Sequence, residues 1–491
     1  AVTFTRKAAA EMEQRIMERQ QELAFADAHK LETLLLQAGI EADADTLQRA
    51  AQLYETLLCN PRRQRCTTFH ALCQELLQRF PLEAGVPPGF EVIEKTGQLE
   101  QAAYDALLAI SARTPDDPVS LALDTLVSVC GGLANTQQAL RAFITQRSDW
   151  WAWTQDETDA FTSACRRLAG FLDIEPGQDP LAGYPDDLEC ERHRVFAGLL
   201  KTNTTKTNNK HAALIDTACQ AGLTGHEYLA AVTPAFLKKD GQPLKRVAGK
   251  TQAKRLGAEN EERFLSLHAE ISAELMQLHD ARARHNSYAG SVAWYRAGSA
   301  LLDHYQRIKR EQRVFDFADL EWLACELLNR SEHASWVQYK LDARIDHLLV
   351  DEFQDTNPTQ WRMLVPLLEE LAAGDDGRRR SVFVVGDRKQ SIYGFRRANP
   401  ALLETAAGWI EQQRNGRRYP LNSSRRSAGA IMDCVNAVFS QPATAGLLAD
   451  FTAHDTHLPD MSGHVELLPL ANGEAGDNDM PAATDVLRNP L

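Results

Sequence analysis

The chain has 491 residues, 44% hydrophobic and 24% charged, enough for more than one packed domain. Its formal net charge of −14 argues against a protein that coats nucleic acid non-specifically, while leaving room for a local binding channel. No apolar run approaches the roughly 20 residues that cross a bilayer, no signal-peptide pattern opens the chain, and the nine cysteines form no CxxC pair or zinc-type spacing, so a reduced cytosolic protein without a membrane partner is expected.

The opening AVTFTRKAAAEMEQRI reads as a strand end over Val2 to Phe4, a cap at Thr5 and a helix of strong helix formers from about Ala8. Leu31, Leu34 and Leu35, then Leu53, Leu57 and Leu58, continue a helical pattern at three-to-four spacing. CTTFHALCQELLQRF is a strand-to-helix transition in which a core Phe69 and a capping Thr account for part of the pattern, and Pro87 and Pro88 mark a boundary.

From about Thr96 to Gln312, runs such as LEQAAYDALLAI and FLSLHAEISAELMQLHDARARH carry helical spacing without a clear strand, which predicts an all-helical segment. Trp150, Trp151 and Trp153 fit packing between helices better than base stacking. Phe236 to Gly257 concentrates Lys238, Lys239, Lys245, Arg246, Lys250, Lys254 and Arg255 against one acid, Asp240; a solvated loop and a phosphate-contacting segment both fit. Asp316 fits a cap for the helix that follows, and Asp319 is given no catalytic role.

Two short apolar runs, His347 to Val350 and Ser381 to Val385, read as buried parallel strands. The first delivers Asp351 and Glu352 at its carboxyl end, the second Gly386, Asp387 and Gln390, and that edge is where ligands bind in open α/β sheets. Mg²⁺ needs a hard oxygen ligand and an attacking water needs a neighbouring base, which makes Asp351 the metal-side carboxylate and Glu352 the base of a nucleotide hydrolase. A solvated acidic strand end is the plain alternative. Beyond it, Asn399 and Pro400 open a helix to about Gln413, YPLNSSRRS leads into a further helix, and Ala471 to Leu491 lacks periodicity and reads as a disordered tail.

The pairing of DEFQDTN with GDRKQSIYGFRRAN resembles motifs II and III of the UvrD-like helicases of superfamily 1. TFTRK resembles motif Ia, TTFH the family's TFH motif, FDFADL the segment ahead of motif II, and YPLNSSRRS motif IV. The fold implied is α/β, a P-loop NTPase (RecA-like) parallel-sheet motor domain with a large all-helical insertion and the start of a second motor domain. The expected division is motor domain over residues 1–90, helical insertion over 91–312, the remainder of the motor domain over 313–414, and the start of the second with its tail over 415–491.

By this resemblance, Asp351 holds Mg²⁺, Glu352 activates water, Gln354 lies beside the γ-phosphate, Gln390 senses it, and Arg426 reaches it. Arg425 stands where an adenine-stacking aromatic is usual. Phe4, Thr5, Lys7, His70, Tyr393, Phe395 and Arg396 meet single-stranded DNA, and Arg397 occupies a position where Gly is common. The long insertion is similar to AddA and the exonuclease V beta subunit, which implies ATP and Mg²⁺ as cofactors, single-stranded or duplex-end DNA as partner, a nuclease or helicase-nuclease partner subunit, and 3′ to 5′ translocation in break repair within the bacterial cytosol. A non-catalytic DNA-binding scaffold is the alternative.

Nothing in these residues matches GxxxxGK[ST]. The chain is accordingly expected to be a fragment, from motif Ia to just after motif IV, that does not turn over ATP alone.

Overall fold

The computed structural model describes residues 1–60, 64–342, 345–373, 378–444, 447 and 451–468; the expected tail lies outside these. In chain order its strands are β1 (Val2–Thr3), β2 (Thr67–Thr68), β3 (Glu91–Val92), β4 (Val314–Phe315), β5 (His347–Val350), β6 (Ser381–Val384), β7 (Ser423–Ser424) and β8 (Asp455–Thr456). The chain forms two compact units, one of residues 1–72 with 328–491 and the other of residues 73–327.

The first unit is built on a parallel sheet in the order β2-β1-β5-β6. Val2 pairs with Thr67 on one side and Val350 on the other, and His347 to Val350 run in register with Ser381 to Val384. Leu348 and Val350 are buried, as are Met363, Leu364, Leu367, Leu368 and Leu371 of the helix Pro358–Ala373. The expectation of strands buried on both faces is corrected: Leu349, Phe383 and Val385 are exposed. Side chains alternate along a strand, so an apolar run puts every second residue on the opposite face, and here only one face of β5 is closed.

Helix starts follow the sequence signals. Thr5 Oγ1 accepts from Ala8 N–H (3.0 Å) at the start of Arg6–Phe25, and Thr68 Oγ1 accepts from Ala71 N–H (3.2 Å) in the helix Phe69–Arg79. Asn399 Oδ1 accepts from Ala401 N–H (3.1 Å) just before Leu402–Arg414. Each removes one orphan donor from a helix end.

The second unit is helical, with its two chain ends joined by parallel pairing of β3 and β4. Its spine is the 55-residue helix Ala258–Gln312, about 80 Å long at 1.5 Å per residue. One end of the spine buries Phe264, Ile271 and Leu275 among helices that include Asp187–Thr202 and Gly225–Phe236. The other buries Ala297, Leu301 and Tyr305 among Gly97–Ser111, Pro118–Cys130 and Leu133–Thr145. Trp150 and Trp151 pack against this second core, whereas Trp153 is exposed.

Near β4 the helical unit holds a buried ion cluster that goes beyond the capping role expected of Asp316. Arg147 and the fully buried Lys309 each pair with both Asp316 and Asp319. Tyr305 Oη donates to Asp316 Oδ2 (2.8 Å) and Gln306 Nε2 to Asp319 Oδ1 (3.0 Å). Two cations against two anions leave the cluster neutral, the condition under which charge survives burial. The basic segment is corrected in part: Arg246 lies over Phe196 and Phe264 and donates to Asn208 Oδ1 (3.2 Å), so it belongs to the packing of the unit. Burial lowers its guanidinium to about 10.

Candidate functional site

At the carboxyl end of β5, Asp351 N–H donates to Val2 O of β1 (2.9 Å), so the sheet itself sets where the carboxyl begins. That carboxyl is half-buried and raised above its ordinary value, first by burial and then by the charge of Glu352, with the Glu352 N–H and the Thr3 hydroxyl opposing the rise. Glu352 is exposed and adopts a left-handed backbone (φ 51°), uncommon for a residue with a side chain. This conformation swings the chain out of the strand into the short turn Phe353–Asp355.

Gln354 then ties the two strand ends together. Its Nε2 donates to Glu352 Oε2 (2.7 Å), and its Oε1 accepts from Asp387 N–H (3.0 Å) just after β6. With 2% exposure and both ends of its amide engaged, Gln354 braces the site. Gly386 makes the brace feasible: a Cβ there would lie 2.8 Å from Gln354 Oε1 and 3.2 Å from Gln354 N. The sequence signal for this was a glycine directly after an apolar strand, which marks close backbone approach.

Asp387 organises the next turn. Its Oδ1 accepts from Lys389 N–H (3.0 Å) and its Oδ2 from Gln390 Nε2 (3.1 Å). Burial would raise this carboxyl, but the Gln390 and Lys389 bonds and the nearby Lys389 ammonium outweigh it and hold the group below its ordinary value. Glu352, Gln354, Asp387 and Gln390 thus form one hydrogen-bonded chain from the predicted base to the predicted sensor.

The loop that continues from Gln390 meets the beginning of the chain. The ring of Phe4 lies 4.6 Å from that of Tyr393, and Tyr393 lies 5.8 Å from Phe395. The Arg396 guanidinium is within 5.7 Å of all three ring centres, inside the range of cation–π attraction. Phe395 is 73% exposed and Tyr393 half-buried, so neither ring belongs to the core. Arg397 has φ 67°, a left-handed position that glycine occupies at no steric cost.

Thr5 serves as the helix cap and Lys7 is exposed on the first turn after it. His70 is half-buried at the start of the helix Phe69–Arg79, beside a buried Phe69. Arg425 and Arg426 are exposed in a turn closed by Ser424 Oγ, which accepts from the N–H groups of Arg426 (3.2 Å) and Ser427 (3.0 Å). Among the described residues no contact joins either guanidinium to Asp351, Glu352 or Gln390.

No cluster of three or more His, Cys, Asp or Glu side chains among the described residues makes a metal cage. Mg²⁺ ordinarily takes one or two carboxylates and completes its shell with waters and phosphate oxygens. Asp351 and Glu352 fit that pattern, because the burial and like charge that raise Asp351 are what a cation relieves.

Residues 1–408 match the family model described as the UvrD/REP helicase N-terminal domain. Among curated relatives, the chain is 36% identical over 148 residues to an ATP-dependent helicase/nuclease subunit of Desulfitobacterium hafniense, covering 29% of this chain and 10% of that protein. It is 32% identical over 220 residues to the exonuclease/helicase subunit RexA of Streptococcus pneumoniae, covering 43% and 17%. It is 25% identical over 495 residues to an ATP-dependent helicase/nuclease subunit of Lactobacillus delbrueckii subsp. bulgaricus, covering 89% and 35%. The chain therefore spans between a tenth and about a third of the length of these relatives. With the family model covering most of its length and the acidic and glutamine motifs braced at one sheet edge, this chain belongs to the UvrD/REP helicase family.

Proposed function

We propose that the chain is part of an ATP-driven DNA helicase that translocates 3′ to 5′ on a single strand, as the helicase portion of a helicase-nuclease acting in double-strand-break repair and recombination in the bacterial cytosol. The observation that carries this reading is the continuous path Glu352–Gln354–Asp387–Gln390, followed within the same loop by the Tyr393, Phe395 and Arg396 cluster. A group that responds to nucleotide and a group that stacks on bases are then a few residues apart. No helix among the described residues is singly long and apolar enough to cross a membrane.

In this reading Glu352 takes the proton from the attacking water, and Gln354 fixes the direction of its carboxylate. Mg²⁺, held by Asp351, would neutralise charge on the phosphates. Gln390, anchored on Asp387, moves when the γ-phosphate leaves and passes that movement to Tyr393 and Phe395. Arg426 supplies charge from the start of the second motor domain, β7 to β8, and Arg425 stacks on adenine with its guanidinium plane. Phe4, Thr5, Lys7, His70 and Arg396 line the strand with the two aromatics. The domain limits at 90, 312 and 414, and a nuclease-type partner subunit, belong to the same proposal.

The test is single-stranded-DNA-stimulated ATP turnover of the native gene product and of its Glu352→Gln variant. The variant should bind nucleotide and lose turnover, because the amide keeps the shape but accepts no proton. Turnover within a few-fold of the parent would remove Glu352 from the role of base, and DNA binding by the native gene product without any ATP turnover would favour the scaffold alternative. Displacement of streptavidin from the 5′ end but not the 3′ end of a biotinylated oligonucleotide would establish the polarity.

A further inference from the structure

The long helix Ala258–Gln312 buries residues at both of its ends, but between Leu275 and Ala293 none is fully buried. A cleft of about 650 Å³ occupies this interval, between the bundle that includes Leu181 and the one that includes Ala122. We propose that this cleft binds a phosphate-bearing ligand of nucleotide size, a site separate from the one at the sheet edge and independent of the motor reading.

Charge is the first reason. Arg282, His285 and Arg296 all line the cleft from the same helix, and steps of three and eleven residues keep them on one face over about 21 Å. Arg284, on the neighbouring face, has ordinary carboxylate partners, Asp280 at 3.2 Å and Asp173 at 3.8 Å. Arg282 and Arg296 have no such partner among the described residues. Arg282 donates instead to His226 Nε2 (2.6 Å), and Arg296 lies 4.0 Å from the centre of the Phe161 ring.

The nearby acids are already engaged. Asp179 Oδ1 accepts from Leu181 N–H (2.9 Å), and Asp159 Oδ1 accepts from Thr162 N–H (3.0 Å). Neither half-buried guanidinium has a carboxylate within ion-pair distance among the described residues, Asp159 acting on Arg296 only through its charge at longer range. Their geometry suits phosphate oxygens, which arginine binds through parallel N–H groups.

The opposite wall is the second reason. Pro118, Leu121, Ala122 and Pro180 present apolar surface, and Tyr288 contributes a ring from the spine. One wall thus offers apolar contact and the other positive charge beside the Tyr288 ring, which matches a ligand with a flat, weakly polar part and an anionic part. A free nucleotide and one nucleotide of a bound strand share this chemistry.

The experiment titrates the 491-residue chain with a fluorescent N-methylanthraniloyl-ADP in one arm and fluorescein-labelled oligo-dT in the other, across a salt series. The chain carries Tyr393→Ala and Phe395→Ala so that the sheet-edge loop does not mask the result. Adding Arg282→Gln and Arg296→Gln should weaken one probe at least tenfold. Loss confined to the nucleotide arm identifies a free-nucleotide site. Loss confined to the oligonucleotide arm, with the salt slope reduced by roughly 1.4 for two contacts on a single strand, identifies strand phosphates. Unchanged affinity in both arms overturns the proposal. If the double substitution unfolds the chain, His285→Glu decides, since it sets a carboxylate in the cleft without removing either guanidinium: unchanged binding of both probes overturns the proposal, and loss of one supports it.

Discussion

The ring of Phe4, the third residue of a strand-end pattern at the start of the chain, packs 4.6 Å from the ring of Tyr393, which follows the predicted sensor Gln390. Two segments far apart in sequence therefore build one aromatic surface, with Arg396 over its rings. Phe395→Ala should lower single-stranded DNA affinity by about 1–3 kcal/mol per stacked base, with little change in melting temperature because the ring is exposed. Tyr393→Ala should lower both the affinity and the melting temperature, since that ring also supports Phe4. Filter binding with calorimetry separates the two effects, and equal affinities for wild type and both variants would exclude the loop from the DNA path.

Gly386→Ala tests the brace. The added methyl would meet Gln354 Oε1 and two backbone nitrogens within 3.3 Å, so Gln354 must move and leave the Asp387 N–H without its acceptor. A cost of about 1 kcal/mol is expected from the lost hydrogen bond at the half-buried Asp387 N–H, together with loss of DNA-stimulated turnover in the native gene product. Unaltered stability and turnover would mean that β6 shifts freely.

Removing a cation from the buried cluster should be severe. Lys309→Met leaves Asp316 and Asp319 facing Arg147 alone, and an uncompensated buried charge costs about 3–5 kcal/mol. The measurement is urea denaturation; a change below about 1 kcal/mol would show that water or another group neutralises the pair.

The same cluster gives a pH dependence with a definite sign. Burial alone would raise Asp316, but Arg147 and Lys309 hold it at about 2 against an ordinary 3.8. A carboxyl depressed in the folded state stabilises above its unfolded value and loses that contribution as pH falls through the folded one. About 2 kcal/mol should therefore disappear between about pH 4 and pH 2, and the loss should shrink in Asp316→Asn. Asp351 has the opposite sign: its raised value means the ionised form is disfavoured in the fold. Asp351→Asn should raise the melting temperature at neutral pH without metal and abolish any further rise caused by Mg²⁺ with nucleotide.

In the basic segment, Lys245, Lys250 and Lys254 remain candidates for phosphate contact, whereas Arg246 is packed on Phe196 and Phe264. Neutralising the three lysines should flatten the salt dependence of single-strand binding by roughly 0.7 per lost contact. Arg246→Ala should instead lower stability and leave that slope unchanged. A slope unaltered by the lysine changes would identify a solvated loop.

What the sequence determined by itself was local: Thr5 as a cap, β5 and β6 as short parallel strands ending in Asp351, Glu352 and Asp387, and helices filling the long central segment. These follow from capping chemistry and side-chain periodicity, which act over a few residues and so can be read along the chain. The tertiary structure decided which groups those elements bring together. The bond of Asp387 N–H to Gln354, the pairing of Phe4 with Tyr393, and the pairing of Arg147 with two aspartates each depend on distances between segments remote in sequence. Burial works the same way: Leu348 and Leu349 are identical residues in one strand, and only packing from outside that strand buries the first and leaves the second exposed.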